Sequence, residues 1–209
     1  MRILDLFCGA GGAAMGYHRA GFDVVGVDKY PQPNYPFEFV QGDVFKWCAD
    51  NSIGSFDAIH ASPPCQAYST TVSLHNNTHP QLVEPTRDLL KATGLLYVME
   101  NVVGAPFHNY FRLCGSSFGL RVWRHRLFEA NWEIGMVPPC SHVQHPLPLD
   151  VTGVGGPGGR HRKPSSLAQA QEALGIDWMK RKELSQAIPP DYTEFIGRQL
   201  MREVLRHAA

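Results

Sequence analysis

The chain has 209 residues, 44 % of them hydrophobic, which suits one globular domain with a full core and at most a small inserted lobe. Lys+Arg and Asp+Glu both number 19, so the net charge is zero and no general affinity for polyanions follows from the total. Five cysteines without regular spacing argue against a disulfide framework and fit a reducing cytoplasm.

The opening Met1-Arg2-Ile3-Leu4-Asp5 is a strand pattern rather than a signal peptide, and no apolar run approaches the length needed to cross a bilayer. Residues 2–7 predict a buried strand, followed by a tight turn at Cys8-Gly9-Ala10-Gly11-Gly12 and a helix from Ala13 to Ala20. Phe22 to Val27 predicts a second strand ending at Asp28. A loop with Pro31, Pro33 and Pro36 precedes a short strand, Phe37–Val40, that ends at Gly42-Asp43. A fourth strand is expected over 56–61. Residues 66–80 are polar and turn-rich, which predicts a mobile loop. Glu84 to Thr93 predicts a helix with Pro85 in its first turn, and Leu95 to Met99 a fifth strand ending at Glu100-Asn101. Strands alternating with helices imply an α/β, doubly wound, mostly parallel sheet. Beyond it, Arg126–Ala130 predicts a strand, 135–166 a Gly/Pro/His-rich loop or small lobe, and Leu167–Leu174 and Ile196–His207 helices, with a turn over 188–192.

Three constellations carry chemistry. The glycine turn of residues 8–12 lets backbone approach a ligand and opens a helix whose N-terminus faces it. With Asp28 placed to accept from ribose hydroxyls and Asp43 from an adenine amine, it predicts an adenosine-containing cofactor; a nicotinamide dinucleotide and S-adenosylmethionine would both use such a turn. Each Asp also reads as a loop or helix cap. Pro63-Pro64-Cys65-Gln66 sits just beyond the fourth strand, where open α/β sheets do chemistry, and Glu100 ends the fifth. Neighbouring strands about 4.8 Å apart would bring the thiol, the carboxyl and the glycine turn to one cleft. Arg124 and Arg126, as alternate residues on a strand, would point into that cleft and lower the thiol pKa. Basic residues also cluster at Arg121, Arg124 and Arg126, at Arg160, Arg162 and Lys163, and at Lys180, Arg181 and Lys182. No metal is expected: Cys140, His142 and His145 read as a loop with solvent-facing histidines, Cys8, Cys48 and Cys114 as core or incidental, and Trp132 and Trp178 as core anchors.

Together these residues resemble the DNA (cytosine-5)-methyltransferase family, and the short length resembles its compact phage-type members. Asp5 to Gly12 resembles the family's first motif, Asp28 and Asp43 its next cofactor positions, and Pro63-Pro64-Cys65-Gln66 its catalytic motif. Glu100-Asn101-Val102 resembles its glutamate motif, Arg124-His125-Arg126 its arginine motif, and Ile196–Leu200, loosely, its closing motif. The family's Gln before the arginines is Val122 here, and only about forty residues, 131–170, stand where the target-recognition domain normally lies.

The resemblance implies a Rossmann-like S-adenosylmethionine-dependent methyltransferase fold with a reduced target-recognition segment. A catalytic and cofactor domain would span 1–130, a loop-rich recognition segment 131–170, and C-terminal helices closing onto the domain 171–209. It implies S-adenosylmethionine bound by Phe7, Gly9, Gly11, Asp28, Asp43 and Pro63, a substrate touched by Gln66, Ser69 and Asn101, and catalysis by Cys65, Glu100, Arg124 and Arg126. In that mechanism Cys65 attacks C6 of an everted cytosine, Glu100 holds the exocyclic amine and N3, Arg126 meets O2, and Arg124 supports Cys65 or a phosphate. The 66–80 loop would be the lid. The partner implied is DNA, with no membrane, in the cytoplasm of a bacterium or a phage-infected host; the short recognition segment leaves room for a specificity-supplying partner or a homodimer. An RNA (tRNA) cytosine-5-methyltransferase, a nicotinamide-dependent oxidoreductase and a catalytically impaired DNA-binding relative are the alternatives.

Overall fold

A computed structural model describes residues 1–51, 53–66, 68, 80–142, 147–152 and 162–207. Seven strands form one sheet: β1 (Arg2–Leu6), β2 (Asp23–Asp28), β3 (Glu38–Gln41), β4 (Ala58–Ala61), β5 (Leu96–Val102), β6 (Phe111–Leu113) and β7 (Arg126–Ala130). Their order is β3-β2-β1-β4-β5-β7-β6. The first five run parallel, and β7 pairs antiparallel with both β5 and β6. The α/β, mostly parallel architecture expected from the sequence is therefore present, with an antiparallel edge. The order reverses between β1 and β4, and the crevice outside the carboxyl ends of these strands is where such sheets bind ligands.

Among the described residues, six helices accompany the sheet: α1 (Gly12–Arg19), α2 (Val44–Asp50), α3 (Val83–Thr93), α4 (Leu167–Leu174), α5 (Arg181–Gln186) and α6 (Pro190–His207). The central strands are apolar on both faces because both are covered. Leu4, Leu6, Val25, Ile59 and Met99 pack on one side with α2 and α3, and Ile3, Val24, Ala58, Val98 and Phe128 pack on the other with α1 and α6. The α1–α6 crossing is close: a Cβ on Gly16 would fall 2.1 Å from Pro190 O and from Thr193 Oγ1. Thr193 Oγ1 donates to Ala13 O at 2.8 Å, which ties the helices where they meet.

Three elements differ from expectation. Asp43 caps α2, accepting from Lys46 N at 3.1 Å, in a stretch of seven helical residues too short to read from periodicity. Pro189-Pro190 resembles a breaker, but Pro190 is the first residue of α6, a position that needs no N–H, so the helix is longer than Ile196–His207. Glu100 and Asn101 lie inside β5 rather than past its end. The described part of 131–170 packs on the core: Trp132, Ile134 and Val137 lie against the α6 side, and Leu149 and Val151 join Val122, α4 and α5 in a third cluster. The expected lid lies almost wholly outside the described residues, Ser69 among them. No helix among the described residues is long and apolar enough to cross a membrane.

Candidate active site

The turn after β1 is built on positive φ at Phe7 (58°), Gly9 (50°) and Gly11 (83°). Gly11 N donates back to Cys8 O at 3.1 Å, and Gly11 then opens α1. For Phe7 this backbone is unfavourable by roughly 1–3 kcal/mol, so the surrounding fold must hold it. Asp28 at the end of β2 locks the turn: its Oδ2 accepts from Gly9 N at 3.0 Å and its Oδ1 from Tyr30 N at 2.9 Å. Each oxygen keeps a lone pair for another donor. Trp178, expected as a core anchor, is half-buried and donates through Nε1 to Ala10 O at 2.8 Å. Asn34 donates to Glu183 at 2.8 Å, joining the Pro-rich loop to α5 on the same side. Below the turn Asp5 is fully buried, and its carboxyl is pushed well up by burial and by Asp28.

The second half of the site lies across the switch point. Pro63 is buried and its carbonyl accepts from Asn101 Nδ2 at 2.8 Å. Asn101 Oδ1 accepts from Val102 N at 2.9 Å. With 1 % of its surface exposed, Asn101 spends its amide on backbone, so it positions the Pro-Pro-Cys turn rather than facing a substrate. Cys65 is half-buried and Gln66 exposed. Burial pushes the Cys65 thiol up; Arg126 opposes this, Glu100 adds to it, and the local backbone and Arg124 oppose it again. The expected lowering by the arginines is thus present and outweighed.

Glu100 is buried, and burial raises its carboxyl above the ordinary range against the opposing pull of Arg126, Arg124 and the Ser62 hydroxyl. Arg126 Nε stands 2.9 Å from Glu100 Oε1. The approach is a charge contact without hydrogen-bond alignment, and Oε1 has no hydrogen-bond partner. Behind it runs a polar chain that sequence reading missed. Ser62 contacts Glu100, His60 Nε2 lies 2.8 Å from Ser62 Oγ, and His60 Nδ1 lies 2.9 Å from Tyr17 OH. Burial lowers the His60 imidazole to about 3, so it stays neutral. With Glu100 ionised the donors run from Tyr17 to His60 to Ser62 to Glu100; a proton on Glu100 lets them reverse.

Arg124 and Arg126 do face the same groups, but not as alternate residues of one strand. Arg126 begins β7, whereas Arg124 precedes it with φ 30°. The Arg124 guanidinium donates to Ser185 O at 2.7 Å. Tyr192 OH donates to Arg124 O at 2.9 Å and helps fix the kink. Val122, at the position of the family's Gln, is a 2 %-exposed core residue under Gly115 and offers the site no hydrogen bond.

The sheet order, the glycine turn with its carboxylate, and a thiol just beyond β4 beside a carboxyl on the neighbouring β5 define a Rossmann-like enzyme of the methyltransferase class. The family model described as C-5 cytosine-specific DNA methylase matches residues 1–110, and the chain belongs to that family. Among curated relatives, the type II methyltransferase M.FnuDI of Fusobacterium nucleatum is 29 % identical over 114 residues, half of this chain and 33 % of that protein. M.NgoPII of Neisseria gonorrhoeae is 30 % identical over 122 residues, 52 % of this chain and 36 % of that protein. The matched part of the chain thus spans about a third of the length of these relatives. Two solved structures share the fold along nearly the whole chain. One is a candidate DNA modification methyltransferase encoded within an E. coli prophage (TM-score 0.69, 16 % identity, 99 % of both chains). The other is the S. pombe Dnmt2 methyltransferase (TM-score 0.65, 11 % identity, 98 % and 99 %).

Family membership implies S-adenosylmethionine as methyl donor, and the turn fits it. A Cβ built on Gly9 meets nothing within 4 Å, so the backbone there faces open space beside the Asp28 carboxylate. Gly11 is different: a Cβ would strike Pro36 Cδ at 2.8 Å, so its role is close packing against the Pro-rich loop.

Proposed function

We propose that this chain methylates C5 of cytosine in DNA, with Cys65 as nucleophile and Glu100 as the group that handles the base. The observation that carries this reading is the buried Glu100 carboxyl in one cleft with Cys65, Arg124 and Arg126, its Oε1 met by the Arg126 charge but by no aligned hydrogen-bond donor. An oxygen that is charge-paired but has no N–H or O–H aimed at it keeps a lone pair open to a donor from a ligand. The exocyclic amine of a cytosine is such a donor.

Gly9 and Asp28 would hold S-adenosylmethionine, which would supply an electrophilic methyl group. Cys65, once deprotonated, adds through Sγ to C6 of the everted base, which makes C5 a nucleophile. Glu100 accepts from the amine and, protonated, donates to N3, where charge accumulates; its raised pKa suits that donation. Arg126 sits beside Glu100 to meet the base oxygen, and Arg124 lies between the cleft and α5. Once C5 carried the methyl group and S-adenosylhomocysteine was released, loss of the C5 proton to solvent and expulsion of the Cys65 thiolate from C6 would restore the aromatic ring. The basic residues Lys163, Arg181 and Lys182 line a groove together with Ser185, whose carbonyl accepts from Arg124, and they suit a DNA phosphate. Gln66 and Ser69 are proposed to approach the base from the loop, and Asp43 the adenine. Residues 131–170 supply the recognition segment, with a homodimer or a partner protein adding specificity.

Duplex DNA carrying 5-fluorocytosine tests the reading directly. The expected result is an adduct that survives denaturation, needs S-adenosylmethionine and is absent from Cys65→Ala. An adduct with RNA only, or none with either, overturns it.

A further inference from the structure

We propose that Cys114, His125, Cys140 and His142 bind one zinc ion, which clips the end of the β6–β7 ribbon to the segment that follows β7. The donor atoms of these four residues all lie within 4.8 Å of one another, and Cys114 Sγ is already 3.4 Å from His142 Nε2. Tetrahedral zinc with two sulfurs at about 2.3 Å and two nitrogens at about 2.0 Å separates its ligands by roughly 3.3–3.8 Å, so closing the set needs shifts of about an ångström.

The fold brings the four together from three separate stretches of chain. Leu113 pairs with Arg126 at the end of the ribbon, so Cys114 and His125 are the next residues on the two strands. Gly115 N donates to Trp123 O at 2.9 Å and carries the pairing past them. Residues 138–142 then fold back over this end, with Ser117 Oγ donating to Pro139 O at 3.1 Å and Ser141 N to Ser116 Oγ at 3.1 Å. The rings are set for ligation. His142 stacks on Trp123 with centroids 4.2 Å apart and meets His125 at 5.0 Å, nearly edge-on. His125 Nε2 is buried with no hydrogen-bond partner, and a cation would satisfy it. Cys114 is 1 % exposed, whereas Cys140 and His142 reach the surface and give the ion an entry path.

Four protein ligands of this kind make a closed, structural site with no open position for substrate. Its placement gives it work to do. His125 stands between Arg124 and Arg126, so fixing its ring fixes the kink that precedes β7 and the start of that strand, where the two arginines lie. Cys140 and His142 anchor the start of the loop-rich segment. The inference does not depend on the methyl-transfer reading.

Metal analysis of the purified full chain tests it. The expected content is about one zinc per chain, falling below roughly 0.1 in the Cys114→Ser/Cys140→Ser double variant and unchanged in Cys65→Ser. Should the double variant fail to fold, cobalt(II) added to zinc-stripped wild type decides the matter. An intense visible spectrum with a sulfur-to-cobalt charge-transfer band supports the site; a pale octahedral spectrum overturns it. Zinc retained by the double variant also overturns it. So does a denatured wild-type chain with three free thiols and a Cys114–Cys140 disulfide in place of five thiols.

Discussion

Arg126 brings Nε to 2.9 Å from Glu100 Oε1 without aiming a proton at it, so the pair is charged yet the oxygen is left without a donor. Glu100→Gln keeps the shape and loses both the charge and the transferable proton. Turnover is expected to fall by about 10²–10⁴-fold, measured as methyl transfer to duplex DNA; a rate near wild type removes the acid role. The same variant has a stability signature. Glu100 holds its proton to higher pH in the folded than in the unfolded chain. The native state therefore binds more protons between the ordinary glutamate value and the raised one. Its contribution to stability is present at low pH and is lost as pH rises through the folded value. Denaturant midpoints of Glu100→Gln should lack that decline.

Cys65 feels Glu100 and Arg126 with opposite sign. Glu100→Gln should make the thiol more acidic and Arg126→Gln less so. Alkylation of Cys65 by iodoacetamide at neutral pH, followed by peptide mass spectrometry, should speed up in the first variant and slow down in the second. Changes of about three- to tenfold correspond to half a pKa unit to one unit. Shifts in the same direction would show that the two charges do not share the thiol's cleft.

Trp178 holds the glycine turn through one hydrogen bond to Ala10 O. Trp178→Phe keeps an aromatic ring and deletes the donor. The loss is about 1 kcal/mol of turn stability, read as roughly three- to tenfold weaker S-adenosylmethionine binding in calorimetry. Unchanged affinity would leave Trp178 as packing only.

Arg87 and Glu129 form a buried two-point ion pair between α3 and β7, with Nε–Oε1 at 2.7 Å and Nη2–Oε2 at 2.9 Å. Removing Arg87 strands the Glu129 charge, whereas removing Glu129 leaves Arg87 its second partner, Glu84, so Arg87→Ala should cost about 3–5 kcal/mol in urea unfolding and Glu129→Ala less. Arg87→Met with Glu129→Leu should cost less than either single change; a larger loss would contradict the desolvation argument.

Much of this was legible in the sequence because periodicity and strand-end chemistry are local. β7 and α4 fall where expected, and Cys65, Glu100 and Arg126 were readable as groups at or near strand ends. What was missed depends on register or on small size. β6 has three residues and α5 six, too few for a pattern. Arg124 joins the cleft through a kink that no alternation rule predicts. Tyr17, His60 and Ser62 line up only once α1 lies on β4, and Cys114 meets His125 only once β6 pairs with β7. Trp178 gave no signal, because its partner is a backbone carbonyl 168 residues away.

The close crossing of α1 by α6 also has a consequence for biosynthesis. The bond from Thr193 to Ala13 spans 180 residues, and at about 5–20 residues per second a ribosome needs roughly 9–36 s to make that stretch. For that interval α1 alone covers its side of the nascent sheet, and Ile3, Val24 and Val98 lack the packing that α6 adds. Only when α6 has left the exit tunnel is that side of the sheet sealed. The growing chain is therefore expected to need shielding from its neighbours until residues 190–207 have emerged.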